Sequence, residues 1–187
     1  KLAVTAAGMR KGHIGAEEIE LLYPRPFSER IEATAREEGI PAWLFWALIR
    51  EESYFSPEIG SSAGAVGLCQ LMPSTAADIA RRKGFSSYDL TDPADNISMG
   101  GWYFGSQLKR FDAAVPALWA YNAGPGRAAS WKSSAAGGDP FLAVETVPFV
   151  ETRYYIHKIL VSAVFYGYLY EGISPETVFG AFFPQGK

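Results

Sequence analysis

Two adjacent glutamates, Glu51 and Glu52, close an apolar run that reads Leu44-Phe45-Trp46-Ala47-Leu48-Ile49-Arg50. At about 100° per residue, Leu44, Phe45, Leu48 and Ile49 share one stripe of a helix, and Glu52 falls near the middle of it. Glu51 lies about a right angle away, and Arg50 is on the far side. The two carboxyls therefore have different expected surroundings: Glu51 at the margin, Glu52 aimed at the core. Burial raises a carboxyl pKa because the charged form loses its water, and the negative end of the helix dipole pushes the same way. A carboxyl that stays protonated near neutral pH is what general-acid catalysis requires. The alternative is a buried Glu of structural role, held by Arg153 or by backbone donors.

Other chemistry has less to build with. Gly60-Ser61-Ser62-Ala63-Gly64 matches the Gly-x-Ser-x-Gly elbow of serine hydrolases, and Asp139 and His157 follow in the chain order of that class. That elbow needs a strand before it, whereas here a helical pattern and Ser56-Pro57 precede it. The match reads as an accident of a Gly/Ser-rich loop. There is one Cys, Cys69, and there are two His, His13 and His157. An intramolecular disulfide, a Cys-based zinc site and a three-His metal site are excluded. Cys69 has no His beside it in sequence, and apolar neighbours raise a thiol pKa, which argues against a catalytic thiolate.

The elements that must position these groups read as mostly α. Ser28 is the expected N-cap of a helix over 29–38, which Gly39 stops. Pro41 opens a second helix, 42–52, and residues 57–72 form a Gly-rich loop. A helix from Ser74 ends in Arg81-Arg82-Lys83 before Gly84, its basic last turn complementing the dipole. Asp92-Pro93 starts a helix to about Phe111, in which Gly100, Gly101 and Gly105 require the close approach of another element. A short helix over 115–121 breaks at Gly124-Pro125-Gly126. Gly137-Gly138-Asp139-Pro140 is a further break, and 149–170 is the last long helix. No sustained period-2 alternation and no internal repeat is present.

Composition bounds the class. The 187 residues suit one domain, and 48% hydrophobic with 20% charged residues is globular rather than disordered. With 17 Lys and Arg against 20 Asp and Glu, the net charge is -3, so no whole-molecule basic field exists to grip nucleic acid. The most apolar run, 159–170, is too short to span a bilayer, and the first apolar stretch is too short for a signal-peptide core.

Four motifs in order resemble those of the soluble lytic murein transglycosylases. They are Arg50-Glu51-Glu52-Ser53 with Ser61, then Gly67-Leu68-Cys69-Gln70-Leu71-Met72-Pro73, then Ala120-Tyr121-Asn122-Ala123-Gly124, then Pro148-Phe149-Val150-Glu151-Thr152-Arg153. The resemblance implies a lysozyme-like helical domain with a substrate cleft. It implies cleavage of the bond between N-acetylmuramic acid and N-acetylglucosamine in peptidoglycan, with 1,6-anhydro products, no metal and no cofactor. Glu52 would be the single acid/base. Ser61, Gln70, Met72, Tyr121, Asn122 and Glu151 would line the cleft.

Gln70 and Asn122 can each donate and accept, Tyr121 can stack on a sugar face, and Glu151 can raise the Glu52 pKa by proximity. Residue by residue, plainer roles stay open: Met72 as core, Tyr121 as a packed aromatic, Asn122 as a turn cap and Glu151 as a helix-start residue. Cys69 stands where the family usually has Met, which removes no proposed acid or binding group. Tyr23-Pro24-Arg25-Pro26 resembles the connector to an upstream α-superhelical region in longer members. Residues 1–27 are accordingly read as linker or remnant, and 28–187 as the catalytic domain. A periplasmic or cell-envelope location is implied. The rival readings are a true muramidase that uses Asp92, Asp95 or Glu145 as a second carboxylate, and a non-catalytic peptidoglycan-binding domain.

Overall fold

In the computed structural model, which describes residues 16–135 and 138–184, every regular element is an α-helix. His13, Gly137 and most of the expected linker or remnant lie outside the described residues. The helices are α1 (Ala16–Leu22), α2 (Ser28–Glu38), α3 (Ala42–Ser53), α4 (Pro73–Lys83) and α5 (Pro93–Phe111). They continue as α6 (Ala114–Ala123), α7 (Pro125–Ser134), α8 (Pro140–Glu145), α9 (Val150–Glu171) and α10 (Pro175–Phe182).

α3 is the central element. Every residue from Trp43 to Arg50 is buried, with α9 packed along one side and α2 on another. The single-stripe reading of this helix is therefore corrected: α3 is enclosed all round, and Arg50 and Glu51 are inside with the rest. Their side chains are 8% and 4% exposed and form an ion pair. Arg50 Nη1 also donates to Ser162 Oγ (3.1 Å), Ser162 donates to Glu51 (2.6 Å), and Arg50 Nε donates to the Leu22 carbonyl (3.1 Å). A buried charge is tolerable only when paired and hydrogen-bonded in this way.

α5 starts where Asp92-Pro93 places it, the Asp92 carboxylate accepting from the amides of Ala94 and Asp95. Its small residues are close-approach sites. A Cβ on Gly100 would land on the Cys69 side chain, and one on Gly101 would land on Thr34 of α2. That contact, more than helix propensity, accounts for the glycines.

Four short helices differ from the sequence reading. α1 occupies part of the expected connector. α7 and α8 each begin at a proline taken as part of a break, and α10 begins at Pro175 beyond the last expected helix, because Pro at the first position starts a helix as readily as it ends one. Ser28 begins α2 but does not cap it; the cap residue is Phe27, in the left-handed conformation. Beyond α1 the chain is pinned to α9: the hydroxyls of Tyr166 and Tyr170 donate to the carbonyls of Pro24 (2.8 Å) and Tyr23 (2.7 Å). The Tyr23 ring stacks on Phe165 at 4.4 Å.

Candidate functional site

The site forms where the C-terminal end of α3 meets a loop and the first turns of α9. After Ser53, Tyr54 and Phe55 both take left-handed backbone angles, which turns the chain away from the helix axis. The Ser53 hydroxyl fixes that reversal, donating to Ile49 O (3.1 Å) and accepting from Phe55 N (3.1 Å). The loop that follows is folded by two isolated antiparallel bridges, Gly60 with Val66 and Val66 with Leu71.

Asn96 of α5 holds this loop in place. It is fully buried, its Oδ1 accepts from Cys69 N (2.7 Å), and its Nδ2 donates to the carbonyls of Leu90 (2.8 Å) and Val66 (3.0 Å). Gly67 lies against it with φ of 80°. Sequence reasoning missed Asn96. Its only signal is an amide in a helix position that the Ile97, Phe104 and Phe111 pattern turns inward.

Glu52 is partly buried, and its Oε1 accepts a hydrogen bond from the Tyr155 hydroxyl at 2.6 Å. Loss of water around the carboxyl pushes its pKa up to about 7. The Tyr155 bond opposes that rise, and the negative charges of Glu151 and Glu51 add to it. Arg153, the expected partner of a buried Glu, instead donates to the Val147 carbonyl (2.7 Å). Tyr155 was not anticipated as a site residue. It lies one turn beyond Glu151 on α9, so the two share a face toward Glu52.

Of the other expected site residues, Ser61, Gln70 and Met72 lie on the segment between α3 and α4, Tyr121 and Asn122 in the last turn of α6, and Glu151 in the first turn of α9. Tyr121 donates its hydroxyl to the Cys69 carbonyl (2.8 Å). Its ring is packed against Tyr103 (5.4 Å) and Phe104 (5.7 Å), which leaves little of the face for stacking on a sugar. Asn122 Oδ1 accepts from Thr152 Oγ1 (2.7 Å), so its remaining donors are what it can offer outward. Gln70 spends its amide nitrogen on the carbonyls of Gly67 (2.9 Å) and Ile59 (3.0 Å), which leaves its oxygen as an acceptor.

Met72 is 40% exposed at the start of α4, not in the core. Ser61 is exposed, its hydroxyl accepting from Ala65 N (3.0 Å), and Glu151 is exposed in the first turn of α9. Cys69 is fully buried, and loss of solvent drives its thiol pKa well up, so no thiolate is held there.

The hydrolase elbow is not assembled. Ser62 lies in an exposed loop with a helix before it, Asp139 caps α8 by accepting from Phe141 N (2.8 Å), and His157 Nε2 pairs with Glu145 (2.9 Å). The carboxylates open to a muramidase are also occupied. Asp92 caps α5, Asp95 accepts from Asp89 N (2.9 Å), and Glu145 holds His157.

An all-helical domain in which the end of α3, a bridged loop and the start of a long helix meet at Glu52 has the lysozyme-like helical fold. The transglycosylase SLT domain family matches residues 29–142, and the chain belongs to that family. It is 32% identical over 158 residues to the soluble lytic murein transglycosylase of Escherichia coli K12, covering 81% of this chain and 24% of that protein. It is 31% identical over 183 residues to a putative soluble lytic murein transglycosylase of Haemophilus influenzae, covering 94% of this chain and 30% of the relative.

Among solved structures, the 70 kDa soluble lytic transglycosylase of Escherichia coli superposes with a TM-score of 0.84 at 30% identity, covering 100% of this chain and 30% of that one. An inactive glutamate-to-glutamine mutant of the lytic transglycosylase Slt from Pseudomonas aeruginosa gives 0.81 at 30% identity, covering 90% and 28%. The chain thus spans about a quarter of the length of the first of these curated relatives.

Proposed function

We propose that this chain is a lytic transglycosylase domain acting on peptidoglycan, with Glu52 as general acid and then general base. The observation that carries the reading is Glu52 itself: a carboxyl at the C-terminal end of α3 that accepts from the Tyr155 hydroxyl and whose pKa loss of water pushes up to about 7. The carboxylates named for a two-carboxylate hydrolase are engaged elsewhere: Asp92 caps α5, Asp95 accepts from Asp89 N and Glu145 pairs with His157. Ordinary glycoside hydrolysis needs that second carboxylate.

In the proposed reaction Glu52 gives its proton to the bridging oxygen between N-acetylmuramic acid and N-acetylglucosamine. The substrate's own N-acetyl oxygen stabilises the cation left at C1. The Glu52 carboxylate then takes the proton of the 6-hydroxyl, which closes onto C1 as a 1,6-anhydro ring. One C–O bond breaks and one forms, and no water is consumed. The tethered hydroxyl outcompetes water because intramolecular attack carries an effective molarity of order 10⁵ M.

Ser61, Gln70, Met72, Tyr121, Asn122 and Glu151 bind the glycan around Glu52, with Gln70 O accepting and Asn122 donating toward its hydroxyls and amides. Residues 28–187 make up this domain, and a peptidoglycan substrate places it in the periplasm or cell envelope. Among the described residues no helix is long and apolar enough to cross a membrane.

The test is digestion of purified peptidoglycan with mass spectrometry of the released muropeptides. They should be lighter by one water than a muramidase product and resist borohydride reduction. Glu52→Gln should abolish release while the folded protein still sediments with peptidoglycan. Reducible products would establish the muramidase reading, and a fully active Glu52→Gln protein would remove Glu52 from the reaction.

A further inference from the structure

Thr152 is the third residue of α9 and is 1% exposed. A Ser or Thr hydroxyl inside a helix ordinarily turns back to a carbonyl three or four residues earlier. Ser53 and Ser134 do so in this chain, donating to the carbonyls of Ile49 and Ser130 (both 3.1 Å). Thr152 does not. Its Oγ1 crosses to the last turn of α6 and donates to Asn122 Oδ1 at 2.7 Å, and it makes no other hydrogen bond among the described residues.

That bond has a direction, and three observations give it consequences. First, an Asn carboxamide carries an acceptor at one end and donors at the other, and the two ends have nearly the same shape. Packing alone does not choose between them, whereas a buried hydroxyl does. Were the amide turned over, Nδ2 would donate to Thr152 Oγ1 and the buried Thr152 proton would have no acceptor, which is costly. Second, Asn122 Nδ2 has no hydrogen-bond partner among the described residues, yet it is not among the buried unpaired atoms, which there are Thr34 Oγ1, Gln107 Oε1 and Trp119 Nε1. Its two N–H groups are therefore open to solvent. Third, the turn that carries Thr152 is itself held. Arg153 donates to the Val147 carbonyl (2.7 Å), which ties the start of α9 to the segment before it. Tyr155, one turn beyond Thr152 on the same face, donates to Glu52 (2.6 Å). Two hydroxyls one turn apart on α9 thus hold side chains of two other helices, Asn122 of α6 and Glu52 of α3.

We infer that Thr152 is a positioning residue for glycan binding: its hydroxyl fixes the Asn122 carboxamide so that the chain offers the glycan a pair of donors there and no acceptor. What meets Asn122 is then an oxygen of the glycan, a carbonyl or a hydroxyl. The inference rests on the proposed peptidoglycan substrate and extends it to a buried side chain that touches no substrate.

The experiment is calorimetric titration of the Glu52→Gln chain, which should bind without turnover, with a peptide-free oligomer of alternating N-acetylglucosamine and N-acetylmuramic acid. Added to that parent, Thr152→Val keeps the shape and removes the hydroxyl, and it should weaken binding about three- to tenfold, the scale of one lost hydrogen bond. Thr152→Ser keeps the hydroxyl and should bind within about twofold of the parent. Once Asn122 is Ala, Thr152→Val should cost less than about twofold more, because the hydroxyl acts through Asn122. Asn122→Asp, which has acceptors only, should bind no better than Asn122→Ala. Full binding by Asn122→Asp, or an equal loss from Thr152→Val with and without the Asn122 side chain, would overturn the inference. Asn122→Asp leaves Thr152 an oxygen to donate to, so it decides the matter even if Thr152→Val misfolds. The free chain supplies a readout that needs no glycan: the Asn122 side-chain amide signals in the proton–nitrogen correlation spectrum, assigned by their loss in Asn122→Asp. They should move in Thr152→Val and return in Thr152→Ser, and signals that Thr152→Val leaves in place would also overturn the inference. Failure of the transglycosylase reading would show instead as absent glycan binding in every variant and the parent, with the amide signals still following Thr152.

Discussion

Replacing Tyr155 with Phe removes the hydroxyl that donates to Glu52 and leaves the ring, which is 8% exposed, to fill its place. That bond favours the carboxylate, so without it the Glu52 pKa must rise. A hydrogen bond to a charged group is worth about 1.5–3 kcal/mol, and 1.36 kcal/mol is one pKa unit, so the rise is about 1–2 units. The Glu52 carboxyl, pushed up to about 7 in the native protein, then titrates nearer 8 or 9 by that same rough conversion.

If Glu52 is the acid, the free enzyme must carry its proton, and activity falls as pH rises through that value. At pH 8 about one native molecule in ten is competent, against half or more of the variant. The assay is kcat/KM on solubilised peptidoglycan from pH 5 to 10. The alkaline limb should move up by one to two units, while the plateau drops because Glu52 loses an orienting partner. An alkaline limb that stays in place, or moves to lower pH, would refute the reasoning.

Other expected outcomes follow from the same contacts. Glu52→Gln should also gain stability relative to the native chain as pH rises. A carboxyl raised from 4.5 to about 7 contributes fully below pH 4.5 and loses that contribution through pH 7, about 3 kcal/mol in all, which urea unfolding at pH 4 and pH 8 will read. Glu51→Gln should cost about 3 kcal/mol by the same measurement, because it leaves the buried Arg50 guanidinium without a counter-charge. Gly67→Ala should cost about 1–3 kcal/mol and most of the activity, since its φ is 80° and a Cβ would meet Asn96 and the Leu90 carbonyl; thermal melts and turnover check both. Ser62→Ala should leave turnover within a few-fold, and a fluorophosphonate should not label Ser62.

What could be read from sequence was what local chemistry decides. Asp92-Pro93 fixed the start of α5, and the three glycines inside that helix announced a close neighbour, found in Cys69 and Thr34. The helical wheel turned Glu52 inward, where loss of water raises its carboxyl pKa. The wheel failed at Arg50 and Glu51 because it assumes that one face meets solvent, and α3 has no such face. Tyr155 and Asn96 were missed for another reason. Tyr155 stands 103 residues from Glu52, and Asn96 stands 27 from Cys69, so each acts through a pairing that no local pattern encodes.

The two adjacent glutamates show how one short helix end can hold a charge and a proton side by side. Arg50 is the nearest strong cation in sequence to both. Were its guanidinium turned to Glu52, it would favour the carboxylate there and hold the acid below neutrality. It is instead committed to Glu51, to Ser162, to the Leu22 carbonyl and to the face of the Tyr23 ring at 4.3 Å. Glu51 thus neutralises Arg50 inside the core, and its own negative charge raises the Glu52 pKa a little further. The Glu52 carboxyl is left with a neutral phenol as its donor, which orients it at a smaller cost to its proton affinity than a cation would exact. On the proposed reading, Glu51 therefore serves Glu52 without taking part in the reaction, as the residue that keeps Arg50 away from it.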